Sequence, residues 1–253
     1  MRSALLAFAT IAQTTLAAGG GAQTISERVA AVRDGAVTFR FAARPGVCGD
    51  GSHYVRLGHS TFGSYGGRHM GTCEPGPVEV RLTQREGRTE RVESWVGAPR
   101  DRQSHDLGTV PSTEAARFLT DLARTGDADA SVGAIIPAVL ADSAVVWPAL
   151  LAVVRDERTR SQHVRKDAAF WLSRFAASAS AGRPNELDDD EHADDLKSHA
   201  VFVLSQLPRE EAVPALLDVA RSNSDRHVRS QALFWLGQTG DRRALDLFES
   251  LLR

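Results

Sequence analysis

The stretch HVRSQALFWLGQT, residues 227–239, decides the fold. A close copy, HVRKDAAFWLSRF, occupies 163–175, and a third, DLKSHAVFVLSQL, occupies 195–207. Val164, Leu196 and Val228 stand 32 residues apart. So do Ala168, Ala200 and Ala232; Phe170, Phe202 and Phe234; and Leu172, Leu204 and Leu236. Agreement of period, residue type and register identifies an internal repeat. Within one copy, Val228, Ala232, Trp235 and Leu236 share one face of an amphipathic helix. The recurring alanine is small where helices approach closely. A second helical pattern follows two of the copies, at 212–220 and 244–252, again 32 residues apart. One helix pair buries too little surface to stand alone, so stacked pairs sharing a core are expected.

Working outward, 131–142 reads as a degenerate first copy, with Val132 and Leu140 placed 32 residues before Val164 and Leu172. Pro137 lies inside it and predicts a helix that starts late or kinks. Trp147-Pro-Ala-Leu-Leu matches Val213-Pro-Ala-Leu-Leu and predicts the second helix of that copy. After Phe175 the pattern is damaged: 177–184 carries Gly182 and Pro184 where a second helix belongs. Seven acids follow within 186–195. They lack the alternate-residue spacing of an EF-hand loop and read as a solvated loop with helix N-terminal charge. The last helix carries an apolar stripe of Leu245, Phe248, Leu251 and Leu252, a dimer or partner surface if part of it stays exposed.

The repeats resemble the short HEAT-like type also seen in phycobilin lyases. The resemblance rests on V-R-x-x-A-x-x-x-L-G, met by Val228, Arg229, Ala232, Leu236 and Gly237, and followed by Gly240-Asp241. The copy at 164 has Ser173 in place of the glycine; the copy at 196 has Lys197 and Ser205 in place of the arginine and glycine. The whole chain more loosely resembles secreted bacterial HEAT repeat domain-containing proteins. Four implications follow from the resemblance. The repeats form an α-solenoid of about four helix pairs, one of them damaged. Arg165, Lys197 and Arg229 form a basic ladder between repeats. The second helices line a concave face. Their polar residues Arg155, Asp156, Asp218, Arg221, Asp246 and Glu249 are candidates for contact with an unidentified protein partner.

The N-terminal part differs. Residues 1–22 read as a signal peptide: Arg2, then a mostly apolar stretch, then Gly20-Gly21-Ala22 for cleavage. Its polar Gln13, Thr14 and Thr15 disfavour an uncleaved anchor, and no stable membrane insertion is expected after cleavage. Residues 23–110 read as a small β region. Val37 to Ala42 alternates as a strand does. Val78, Val80 and Leu82 alternate with polar residues, Glu86-Gly87 makes a turn, and 89–96 returns as the partner strand. Cys48 and Cys73 are the only cysteines. In an exported chain they are expected to form a structural disulfide, and the C-x-x-C of a redox pair or haem site is absent. His53, His59 and His69 share the glycine-rich loop with Asp50, but their spacing fits no zinc pattern, so no metal and no cofactor is expected.

The fold expected is therefore α+β, mostly α: a small disulfide-bonded β region (23–110), then a short HEAT-like α-solenoid (111–253). Apolar content of 42% and charged content of 25% are those of a globular protein. A net charge of −2 gives no polybasic surface for nucleic acid. No G-x-S-x-G elbow, H-E-x-x-H helix or phosphate loop is present, so no catalytic residue is assigned. Two functions fit: an exported, non-enzymatic protein-interaction scaffold, or a ligand- or metal-binding, even enzymatic, β region supported by the solenoid. Oligomeric state is open at this level.

Overall fold

The computed structural model describes residues 23–51, 55–57, 60–62, 72–97, 103–156, 161–180, 201–202 and 204–253. Within them lie seven strands: β1 (Gly35–Phe41), β2 (Val47–Gly49), β3 (Val55–Leu57), β4 (Ser60–Phe62), β5 (Val78–Arg85), β6 (Arg88–Val96) and β7 (His105–Thr109). The helices are α1 (Ile25–Ala30), α2 (Ser112–Thr125), α3 (Ala128–Leu140), α4 (Trp147–Arg155), α5 (Gln162–Ser180), α6 (Arg209–Ser222), α7 (Arg226–Thr239) and α8 (Arg242–Leu252). Residues 201–202 and 204–205 are also helical. The chain is thus mostly helical, with a small sheet region on its N-terminal side. The signal-peptide segment, the acidic run and Lys197 lie outside the described residues.

The larger sheet has the order β6-β5-β1-β7. Alternation places Val37, Phe39 and Phe41 opposite Leu82, Val80 and Val78, all fully buried on the helix side. Each such side chain contributes about 2–3 kcal/mol by leaving water. The expected turn is present: Glu86 and Gly87 both have positive φ, 52° and 77°, the arrangement that matches the twist of a two-residue hairpin. Asp34 and the Arg33 carbonyl accept from their N–H groups at 3.0 and 2.8 Å. Three parts of this region were not anticipated. A capping box between Thr24 and Glu27 starts α1. Strand β7 pairs in parallel with β1. The glycine-rich loop contains the separate sheet β2-β3-β4. Cys48 and Cys73 are joined, 5.2 Å between Cα atoms.

The helical half follows the repeat with local departures. Helix α2 begins at Ser112 with Pro111 as its N-cap, and the Ser112 hydroxyl donates to the Ala42 carbonyl at 3.2 Å. Helix α3 starts early, at Ala128, and runs on through Pro137. The proline removes one backbone donor, a cost offset by a helix that is buried along most of its length. Helix α5 extends to Ser180, so part of the damaged stretch lengthens the first helix of its copy. Gly240, at φ 60°, closes α7 and Asp241 caps α8. The Gly-Asp pair therefore ends one helix and starts the next.

The stacking order departs from simple succession. Helix α5 packs directly on α7, although their copies are two periods apart. At the contact, a Cβ on Gly237 would lie 2.6 Å from the Ser173 Cβ and 3.1 Å from the Ala169 carbonyl. These are the equivalent small positions of two copies, meeting each other. Helix α8 packs on α5 as well as α7 and also touches α4. It thus lies against the copy whose second-helix stretch is interrupted in sequence by Gly182 and Pro184. Its apolar stripe is covered: Leu245, Phe248 and Leu252 are buried, and Leu251 packs against the core.

Candidate partner-binding surface

The six candidate residues fall in three places. Arg155, at the end of α4, reaches α8, where one guanidinium nitrogen donates to Glu249 at 2.6 Å and another to Asp246 at 2.7 Å. Arg253 donates to the other Glu249 oxygen. Hydrogen bonds from Arg155, then Arg253, hold the Glu249 carboxyl below its usual range. Arg155, Asp246 and Glu249 are thus engaged with one another across the α4–α8 contact. Asp156 is the C-cap of α4 and lines a cleft of about 530 Å³ with Gly126, Asp127, Ser131 and Ser161.

Asp218 and Arg221 stand apart from this network. They lie on α6, whose buried face is Ala212, Val213, Leu216, Leu217 and Ala220. The opposite face exposes Glu211, Pro214, Asp218 and Arg221 at helical spacing. That regularity follows from the sequence: apolar and polar residues alternate with the 3.6-residue period, so one stripe faces α7 and the other faces solvent.

The remaining repeat residues have local roles. Arg229 donates to the Asn223 and Ser224 carbonyls at 2.9 and 3.1 Å, tying the end of one copy to the start of the next. At Asp225, the N-cap of α7, the side chain accepts from the His227 N–H at 3.0 Å. Arg209 on α6 and Arg243 on α8 both reach Asp241. The hydrogen bonds from Arg243 lead in holding its carboxyl at about 2. Trp171 is buried, while Trp235 is half-buried against Phe234 and Phe202 at centroid distances of 5.1 and 5.4 Å.

Sequence reasoning missed Arg44. It is buried in a sharp turn after β1 and donates to the Ala141 and Ala144 carbonyls at 3.2 and 3.4 Å. Burial pulls its pKa below the usual arginine value, against the raising effect of Asp142. No local pattern marks such a residue. The histidines of the glycine-rich loop (His53, His59, His69) lie outside the described residues. Among those described, no group of His, Cys, Asp and Glu side chains is placed to hold a metal ion. No described helix is long and apolar enough to cross a membrane.

Residues 185–253 match the family model described as HEAT repeats. No curated protein and no solved structure matches the chain. The C-terminal helices and their 32-residue period fit a HEAT-like repeat over the matched residues, and a small disulfide-bonded sheet region precedes them. HEAT repeats generally mediate protein–protein interaction, and a disulfide points to a non-reducing environment.

Proposed function

We propose that this chain is an exported protein-interaction scaffold that contacts its partner along the outer stripe of helix Arg209–Ser222. One observation carries the choice of surface. Of the six candidates, Asp218 and Arg221 are exposed with their charges outside the α4–α8 network, whereas Arg155, Asp246 and Glu249 are spent on that network. A partner presenting a cation to Asp218 and an anion to Arg221 gains both pairs without breaking an internal one. Export is supported by the apolar segment at residues 1–22 and by the disulfide. The repeats are assigned to the short phycobilin-lyase-type class on their V-R-x-x-A-x-x-x-L-G pattern. That likeness concerns the scaffold and brings no lyase chemistry with it.

The test is cross-linking in cells, then isolation of the mature protein from the envelope fraction, with wild type, Asp218→Lys and Arg221→Glu compared. A protein recovered with wild type and reduced at least tenfold with either variant supports the surface. Equal recovery with both variants, at unchanged thermal stability, refutes it.

A further inference from the structure

We infer that the β region is the N-terminal cap of the repeat array. The inference is independent of the partner surface. It starts from helix α3, the first of the degenerate copy. From 130 to 141 this stretch has no charged residue. The first helix of an open array turns one side to water and carries polar residues there. A helix apolar all round has to be covered all round.

The structure shows the cover. Helix α3 packs against α2 and α5, and its remaining side lies against β6 and β5. A Cβ on Gly133 would lie 2.3 Å from the Val92 carbonyl oxygen of β6. Helix and edge strand therefore approach as closely as a bare backbone allows. The same contact removes β6 from the free edges of the sheet.

The chain just after β1 closes the seam. Ala43 and Ala141 form an antiparallel bridge. The Arg44 N–H donates to the Leu140 carbonyl, and the Asp142 N–H to the Ala42 carbonyl, each at 2.9 Å. The Arg44 guanidinium lies over the Phe175 ring of α5 at 5.6 Å, reaching past the first copy into the next. Phe39 of the sheet meets Phe118 of α2 edge to face at 6.0 Å. Sheet and helices share one hydrophobic cluster. Helix α8, in contrast to α3, buries one apolar face and exposes Arg242, Arg243, Asp246 and Ser250 on the other.

A cap has a consequence that a separate module lacks: damage at the seam destabilises helices far from it. The experiment is amide hydrogen exchange on the full oxidised chain, wild type against Gly133→Ala. The added methyl must displace α3 from β6. The expected result is at least a tenfold loss of protection in α5, α6 and α7 together with β5 and β6. Should Gly133→Ala yield too little folded protein, Arg44→Met gives the same reading, since it removes the seam's guanidinium without inserting bulk. Loss confined to the strands, or wild-type protection of α5 to α7 in the variant, overturns the cap.

Discussion

Replacing Gly237 by alanine tests the stacking of α5 on α7 directly. In a free helix the change is favourable by about 1 kcal/mol, because glycine is the poorer helix former. Here the new methyl would sit 2.6 Å from the Ser173 Cβ and 2.9 Å from its hydroxyl oxygen. Both atoms belong to a buried position held by a hydrogen bond from Ser173 to the Phe170 carbonyl at 2.6 Å. The neighbour is therefore unable to swing aside. Overpacking of this kind costs roughly 1–3 kcal/mol. The net loss expected is about 0–2 kcal/mol, centred near 1, a fall of about 0.4 M in the urea midpoint at a slope of roughly 2–3 kcal/mol/M. Gly237→Ala in a Ser173→Gly background should then be close to neutral, because only the Ala169 carbonyl at 3.1 Å still crowds the methyl. The coupling between the two sites should reach about 1 kcal/mol. Ser205→Gly supplies the contrast. Simple succession of the copies would place Ser205, not Ser173, against Gly237. Coupling of Gly237→Ala to Ser205 rather than to Ser173, or a Gly237→Ala protein more stable than wild type, refutes the observed order.

Two further outcomes follow from the same geometry. Reducing the disulfide, or Cys48→Ser with Cys73→Ser, reopens a loop of 25 residues. The stability lost should be about 3 kcal/mol by loop-closure entropy, seen as a lower melting temperature in calorimetry with reductant. Asp241→Asn keeps the helix cap but removes the charge held by Arg243 and Arg209. The folded carboxyl sits at about 2, below its ordinary value of 3.8. Its contribution is therefore complete above pH 4 and is lost as the pH falls through 2. Allowing for solvent screening of the arginines, the variant should be about 1 kcal/mol less stable at pH 7 and should converge with wild type near pH 2. Urea midpoints that differ as much at pH 2 as at pH 7 would disprove the assignment.

Much of the candidate site was legible because helices are written locally. The 3.6-residue alternation in 209–222 specifies which side of α6 is buried, and so places Asp218 and Arg221 outside. The Val78–Val96 hairpin was legible for the same reason: alternating residues flank a Glu-Gly turn within 19 positions. The pairing of Arg155 with Asp246 and Glu249 was not legible, because it joins side chains 91 and 94 residues apart. Helix α1 and strands β2 to β4 are too short to show a period, and α1 is held by Glu114 and Leu107, 89 and 79 residues from their partners. Strand β7 is only five residues long with Gly108 as its fourth, and is defined mainly by its parallel neighbour.

Sequence alone therefore determined the repeat, its period, the amphipathic faces and the two cysteines available to pair, since each is set by residue type and spacing along the chain. Tertiary structure decided which copies touch, where the last described helix lies, and that the sheet packs on α3. Those choices depend on surfaces meeting across long separations. Ser173 fits Gly237, and Gly133 fits the Val92 carbonyl, only once the backbones are brought together, and no local pattern records that fit.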